Sequence, residues 1–69
     1  MDMRKIVGRN LKRIRLERKL TQERLAELSG FSQQYISGLE KGARNPTVVT
    51  IYEFSQVLKV DYLELLRPR

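Results

Sequence analysis

Apolar positions recur along this chain at three- and four-residue intervals, and four of the recurrences start beside a polar residue suited to capping a helix. Ile6 or Val7, Leu11 and Ile14 predict an amphipathic helix from Arg4 to about Arg18, with a narrow apolar stripe on an otherwise charged surface. Four later segments share one start signal: an apolar residue, then a capping residue, then another apolar residue four positions on. Leu20-Thr21 with Leu25, Phe31-Ser32 with Ile36, Pro46-Thr47 with Ile51, and Val60-Asp61 with Leu65 all fit it. The cap oxygen accepts from a backbone N–H of the first turn that has no partner within the helix, and the apolar pair staples the incoming chain. Asp61 also has Glu64 three residues later, a capping-box pattern. The pattern therefore predicts an all-α fold of five helices. Helix four, Val48 to Leu58, is expected to direct Val48, Ile51, Phe54 and Leu58 inward, with Ser55 as the small residue of that face. Helix five, Tyr62 to about Leu66, is expected to close the base of the core with Leu63 and Leu66 before Pro68 ends it. Lys19 stands at the exit of helix one, where a positive φ would cost on the order of 1 kcal/mol.

The chain is organised around Thr21 to Gly42, which reads as two short helices meeting at a tight turn. Ala26 is small enough to let two backbones approach, Gly30 suits the positive φ that often follows a helix end, and Ile36 and Leu39 can close over Leu25 and Ala26. At 100° per residue the outer face of the second helix holds Gln33, Gln34, Ser37, Gly38 and Lys41, with Tyr35 and Glu40 at the edges of the apolar side. Amides, a hydroxyl and a cation suit base edges: Gln can pair with adenine N6 and N7, Ser can donate or accept, and Lys can reach guanine or phosphate. Gly38 has two readings, a bare backbone that lets the helix sit deeper in a groove, or a tolerated surface glycine.

Charge sharpens the picture. The net charge of +6 lies wholly in Met1 to Arg24, where nine basic residues face three acidic ones; from Leu25 onward five of each cancel. Such a concentrated field favours a polyanionic partner. At 69 residues the chain is expected to form one domain, 1–69, with its core at about 6–66. With no Cys and no His there is no thiolate, imidazole or acid–base shuttle, and the eight carboxylates are scattered. No enzyme, catalytic residue, metal or cofactor is expected. The charged N-terminus lacks a secretory run and no apolar stretch reaches membrane-span length, so a cytoplasmic protein, nucleoid-associated, with no membrane partner is expected.

Leu20-Thr21-Gln22, Leu25-Ala26, Gly30, Ile36, Leu39-Glu40, Gly42, Arg44-Asn45-Pro46 and Leu65-Leu66 together resemble the helix-turn-helix of the lambdoid phage repressor and Cro proteins, the xenobiotic-response-element family, over Val7 to Leu66. The resemblance implies a compact five-helix lambda-repressor-like domain with helices two and three as the helix-turn-helix. It further implies sequence-specific binding of double-stranded DNA by a transcriptional regulator, a repressor or a restriction-modification controller, that reads the major groove with residues 33–41. By the same resemblance Gln22, Gln33 and Gln34 read bases, and Ser37 shares their face; Gln22 and Gln33 have the alternative of holding a phosphate or a neighbouring amide. Lys41, Arg44, Asn45 and Thr47 are the phosphate candidates, the last through the open N–H groups of its helix. Tyr35 either reaches a phosphate with its hydroxyl or only packs. Arg15 and Glu40 are implied as a structural ion pair beside Ala26, Gly30, Ile36 and Leu39. A homodimer on two half-sites is expected, meeting through Val60, Asp61, Tyr62 and Leu65. No small-molecule ligand is evident, which suggests control by the protein's own concentration. The rival reading is a protein-interaction module of antitoxin or bridging type, which predicts an apolar outward patch, and the outward face derived for the second helix of the pair has none; an RNA-binding reading lacks paired exposed aromatics.

Overall fold

The computed structural model describes all 69 residues as five helices and no strand: α1 (Met3–Glu17), α2 (Gln22–Ser29), α3 (Gln33–Glu40), α4 (Val48–Leu58) and α5 (Leu63–Leu66). The predicted starts of the middle three are where the caps stand. Thr21, Ser32 and Thr47 have extended backbone, and their side-chain oxygens accept from Arg24, Tyr35 and Thr50 backbone N–H groups respectively. Asp2 does the same for α1 through Arg4. Asp61 accepts from the Leu63 N–H at 2.9 Å but stands one residue before the N-cap of α5, which is Tyr62 and carries no side-chain cap bond. The capping box is not completed, because the Glu64 carboxylate turns to Arg67 at 3.3 Å and Arg69 at 3.0 Å instead.

The helices end by a shared device. After α1, α3 and α4 the chain places one residue in the left-handed region, Lys19 at φ 58°, Gly42 at φ 75° and Lys59 at φ 57°. The N–H of the next residue then reaches back to a carbonyl five residues earlier: Leu20 to Arg15, Ala43 to Gly38 and Val60 to Ser55, at 2.9 to 3.1 Å. Glycine takes that conformation without a Cβ clash; at each lysine it costs on the order of 1 kcal/mol. The strain at Lys19 follows the sequence reading, while that at Lys59 was not anticipated. Gly30 closes α2 at φ 81°.

Ten buried apolar side chains form the core: Val7, Leu11, Ile14, Leu25, Ile36, Leu39, Ile51, Phe54, Leu58 and Leu65, with Ala26 and Phe31 among those packed against it. α1 lies against α3 and α5, and α2 against α3 and α4. Two expectations about facing fail. Val48 is 84% exposed, since it sits about 90° round the helix from the centre of the face made by Ile51, Phe54 and Leu58. Thr50 is buried at the other edge of that face, where its hydroxyl pairs with that of Thr47 at 2.9 Å. In α5 it is Leu65 that enters the core, at 1% exposure, while Leu63 faces outward. A one-turn helix can aim only one side inward, and Asn10 settles which. Its buried side-chain amide donates to the Leu65 and Arg67 carbonyls at 2.9 and 2.7 Å, holding the C-terminal end of α5 against α1. Leu65 is therefore unavailable as an interface residue, which corrects its assignment to the dimer surface.

Candidate nucleic-acid interface

α3 is held from behind and open in front. Ile36 and Leu39 are buried on its inner side, and Ser32 caps its first turn. On the outer side Gln33, Gln34 and Lys41 are exposed and Ser37 and Gly38 half-buried. With Gln22 and Ala43 these residues line one shallow concavity. The side chains of Gln33, Gln34, Ser37 and Lys41 make no hydrogen bond within the chain, so their donors and acceptors are available to a ligand.

Beneath this face lies a charged clasp. Arg15 donates to both Glu40 oxygens, from Nε at 2.7 Å and from Nη2 at 3.0 Å, and its Nη1 donates to the Leu20 carbonyl at 2.8 Å. The two side chains are only 9% and 4% exposed. A planar guanidinium matches a carboxylate in this two-point fashion, and burial makes the geometry rigid. The clasp ties the last turn of α3 to the last turn of α1. Gln22 adds a third bond, donating from Nε2 to Glu40 at 3.0 Å. This corrects the simple base-reading assignment of Gln22: its amide nitrogen is engaged inside the protein by a carboxylate, a partner that neither sequence reading named, although the residue still borders the concavity.

Of the two readings of Tyr35, the structure takes packing over the phosphate contact. Its hydroxyl is directed to the Thr50 hydroxyl at 3.4 Å rather than outward, and its ring packs on Phe31, which packs on Phe54. Tyr35 meets the solvent side through its ring face, which carries the Arg44 guanidinium at 5.1 Å from the centroid. Thr47 likewise uses its hydroxyl as the α4 cap, leaving backbone N–H groups as its only offer to an anion. Arg44 and Asn45 are exposed in the loop between α3 and α4.

The basic run divides into structural and available charge. Arg15 serves the clasp, Arg18 donates to the Leu58 carbonyl at 2.9 Å, and Arg4, Arg13 and Arg24 pair with Asp2, Glu17 and Glu27. Lys5, Arg9, Lys12 and Lys19 have no ion-pair partner. Arg9, Lys12 and Arg13 line a second open groove with Leu16 and Glu17, bounded by Glu40 at the end of α3.

Sequence reasoning missed two residues that set the site's geometry. Gly8 lies where α1 crosses α3, and a Cβ there would run into the Leu39 carbonyl oxygen, with the Glu40 carbonyl oxygen at 3.1 Å. The available signal was a glycine inside an amphipathic helix, a position that costs about 1 kcal/mol of propensity and so asks for a packing reason. Asn10 was the other; a polar residue beside the apolar stripe gives no hint that it is buried until the C-terminus is placed over it.

The Helix-turn-helix family model matches residues 11–65. The chain is 59% identical over 68 residues to an uncharacterized HTH-type transcriptional regulator, y4dJ, of Sinorhizobium fredii, covering 99% of this chain and 88% of that protein. It is 35% identical over 66 residues to the control protein C.SmaI of Serratia marcescens, covering 96% and 79% of the two chains. Among solved structures it resembles the restriction-modification controller protein C.AhdI of Aeromonas hydrophila, with a TM-score of 0.85 and 35% identity over 90% of this chain and 94% of that one. Through the span matched, these identities and the shared fold, the chain belongs to the helix-turn-helix family.

Proposed function

We propose that this protein is a DNA-binding transcriptional regulator that lays α3 in the major groove of an operator. The observation that carries the reading is the outer face of α3, where Gln33, Gln34, Ser37 and Lys41 stand without intrachain partners on a helix clasped rigidly from behind. Relatives named as a transcriptional regulator and a restriction-modification controller support the regulatory role. Gln33, Gln34 and Ser37 are assigned to base edges, and Lys41, Arg44 and Asn45 to phosphates, with Arg9 and Lys12 adding charge along the flank. Footprinting across a salt series tests these roles separately. Gln34→Ala is expected to lose about 1–3 kcal/mol of discrimination between its preferred and altered sites. Arg44→Ala is expected to weaken all sites alike and to flatten the slope of log K against log salt by about one unit. Equal losses of Gln34→Ala on every sequence would remove the base-reading role.

So short a reading surface sees few base pairs, and selectivity follows when two copies bind half-sites about one helical turn apart. The surface assigned to the second copy is the α4–α5 corner, which includes Val60, Asp61 and Tyr62. Val48, Val49, Tyr52, Tyr62 and Leu63 are all more than two-fifths exposed there, and Val48, Ile51, Tyr52, Tyr62 and Leu66 line an apolar concavity. An isologous pairing would cover that patch on both copies at once. Val48→Glu changes an exposed side chain, so the helical signal should persist while sedimentation shifts from dimer to monomer at micromolar concentration. A wild-type chain that sediments as a monomer at high micromolar concentration, protecting one half-site per protein, would refute the pairing.

A further inference from the structure

Gly38 stands in the middle of the outer face of α3, where a helix usually carries a side chain. The space it leaves is filled. A Cβ built on Gly38 would lie 2.5 Å from Cγ of Arg44, 3.5 Å from its Cδ and 3.7 Å from its Cβ, so the aliphatic stem of Arg44 crosses directly over the bare Cα. The crossing is prepared by the backbone. The Ala43 N–H donates to the Gly38 carbonyl at 2.9 Å, which turns the chain back on α3 and brings the next residue alongside it. Beyond Gly38 the guanidinium rests 5.1 Å from the centroid of the Tyr35 ring. That ring is braced by Phe31 at 5.5 Å and by the Thr50 hydroxyl, and Phe31 by the buried Phe54 at 5.0 Å. A loop arginine is thus held on a cluster of tilted aromatic rings rooted in the core.

We propose that Gly38 is a positioning residue whose missing side chain is the slot that seats Arg44 across α3 and presents its guanidinium to the DNA backbone. The proposal rests on the DNA-binding reading above. An arginine free in a loop loses rotamer freedom when it engages a phosphate, whereas one already laid across Gly38 and stacked on Tyr35 has lost most of it. Any L side chain at 38 meets the middle of the Arg44 stem rather than its flexible tip, so the stem must shift off the line that carries it to the ring.

Two measurements test this. In the free protein, the Cδ and Nε protons of Arg44, which adjoin the guanidinium over the ring, should show upfield ring-current shifts by NMR that collapse toward random-coil values in Gly38→Ala and also in Tyr35→Leu. On the footprinted operator, Gly38→Ala should bind about three- to tenfold more weakly, the equivalent of ordering one long side chain. Its melting temperature should hold or rise, because alanine is the better helix former. In an Arg44→Ala background the same Gly38→Ala change should alter the dissociation constant less than twofold. Wild-type affinity in Gly38→Ala, or an equal loss with and without Arg44, would overturn the seat. Absence of the ring-current shift from the wild-type chain would also overturn it. Failure of the wild type to protect any DNA is a different result, since it removes the functional reading while the NMR comparison still decides whether Gly38 seats Arg44.

Discussion

Glu40→Ala is expected to lower the unfolding free energy by about 3–5 kcal/mol, the usual cost of breaking a buried ion pair from one side. The carboxylate accepts two bonds from Arg15 and one from Gln22 and is 4% exposed. Without it the Arg15 guanidinium keeps only the Leu20 carbonyl, in a site it cannot leave without opening the packing of α1 on α3. A domain of this size has roughly 3–10 kcal/mol in total, at about 0.05–0.15 kcal/mol per residue, so the variant should be largely unfolded or melt far below the wild type. Urea titration followed by circular dichroism measures this directly. A control separates the cost of an orphaned charge from the worth of the pair. Replacing both partners with apolar residues of similar size, Arg15→Met with Glu40→Leu, should recover most of the loss, because desolvating two charges offsets much of their attraction. A loss below about 1 kcal/mol in the single variant would mean that the clasp is not buried as described.

The second large effect is expected at Gly8. Alanine there should cost about 2 kcal/mol net, since overpacking costs about 1–3 kcal/mol and the propensity gain is only about 1 kcal/mol. The upper end of the penalty applies because the obstructing atoms are the Leu39 and Glu40 carbonyl oxygens, and backbone cannot swing aside as a side chain can. Relief requires α1 and α3 to move apart, which also strains the Arg15–Glu40 clasp about two helical turns along α1. DNA affinity should therefore fall with stability. Gly30→Ala is the contrasting case, because no atom lies within 4 Å of its added Cβ and only the φ of 81° is violated. Chemical denaturation of both variants distinguishes the two causes. If Gly8→Ala is more stable than the wild type, propensity outweighs the clash and the close approach is not a constraint.

How much of this was readable from the residues depended on the range of the physics involved. Thr21, Ser32 and Thr47 act on N–H groups within three positions of themselves, so local spacing located their helices. Gly30 likewise answers a local backbone demand. The outer face of α3 follows from its period once Ile36 and Leu39 are known to be inside. Lys59 and the uncompleted capping box of Glu64 were local misses, while most of the others turned on contacts between separate parts of the chain. Val48 and Leu63 are apolar residues at helical spacing, and nothing in their neighbourhood says that the core lies to one side of them. The Gln22 amide is claimed by Glu40, 18 positions away. The Tyr35 hydroxyl is claimed by Thr50, 15 positions away. Gly38 carried two plausible readings until Arg44 was found lying across it.

The amino-acid order alone determined five helices, the caps of the middle three, a basic first third and an amide-bearing helix with its apolar side turned in, because capping, periodicity and net charge are short-range or additive properties. Only the folded chain decided which polar groups were left for a partner. That outcome depends on which donors and carboxylates the packing of α1 against α3 and α5 brings within bonding distance. It consumed Arg15, Gln22, Glu40 and Asn10 internally, and left Gln33, Gln34, Ser37 and Lys41 unclaimed.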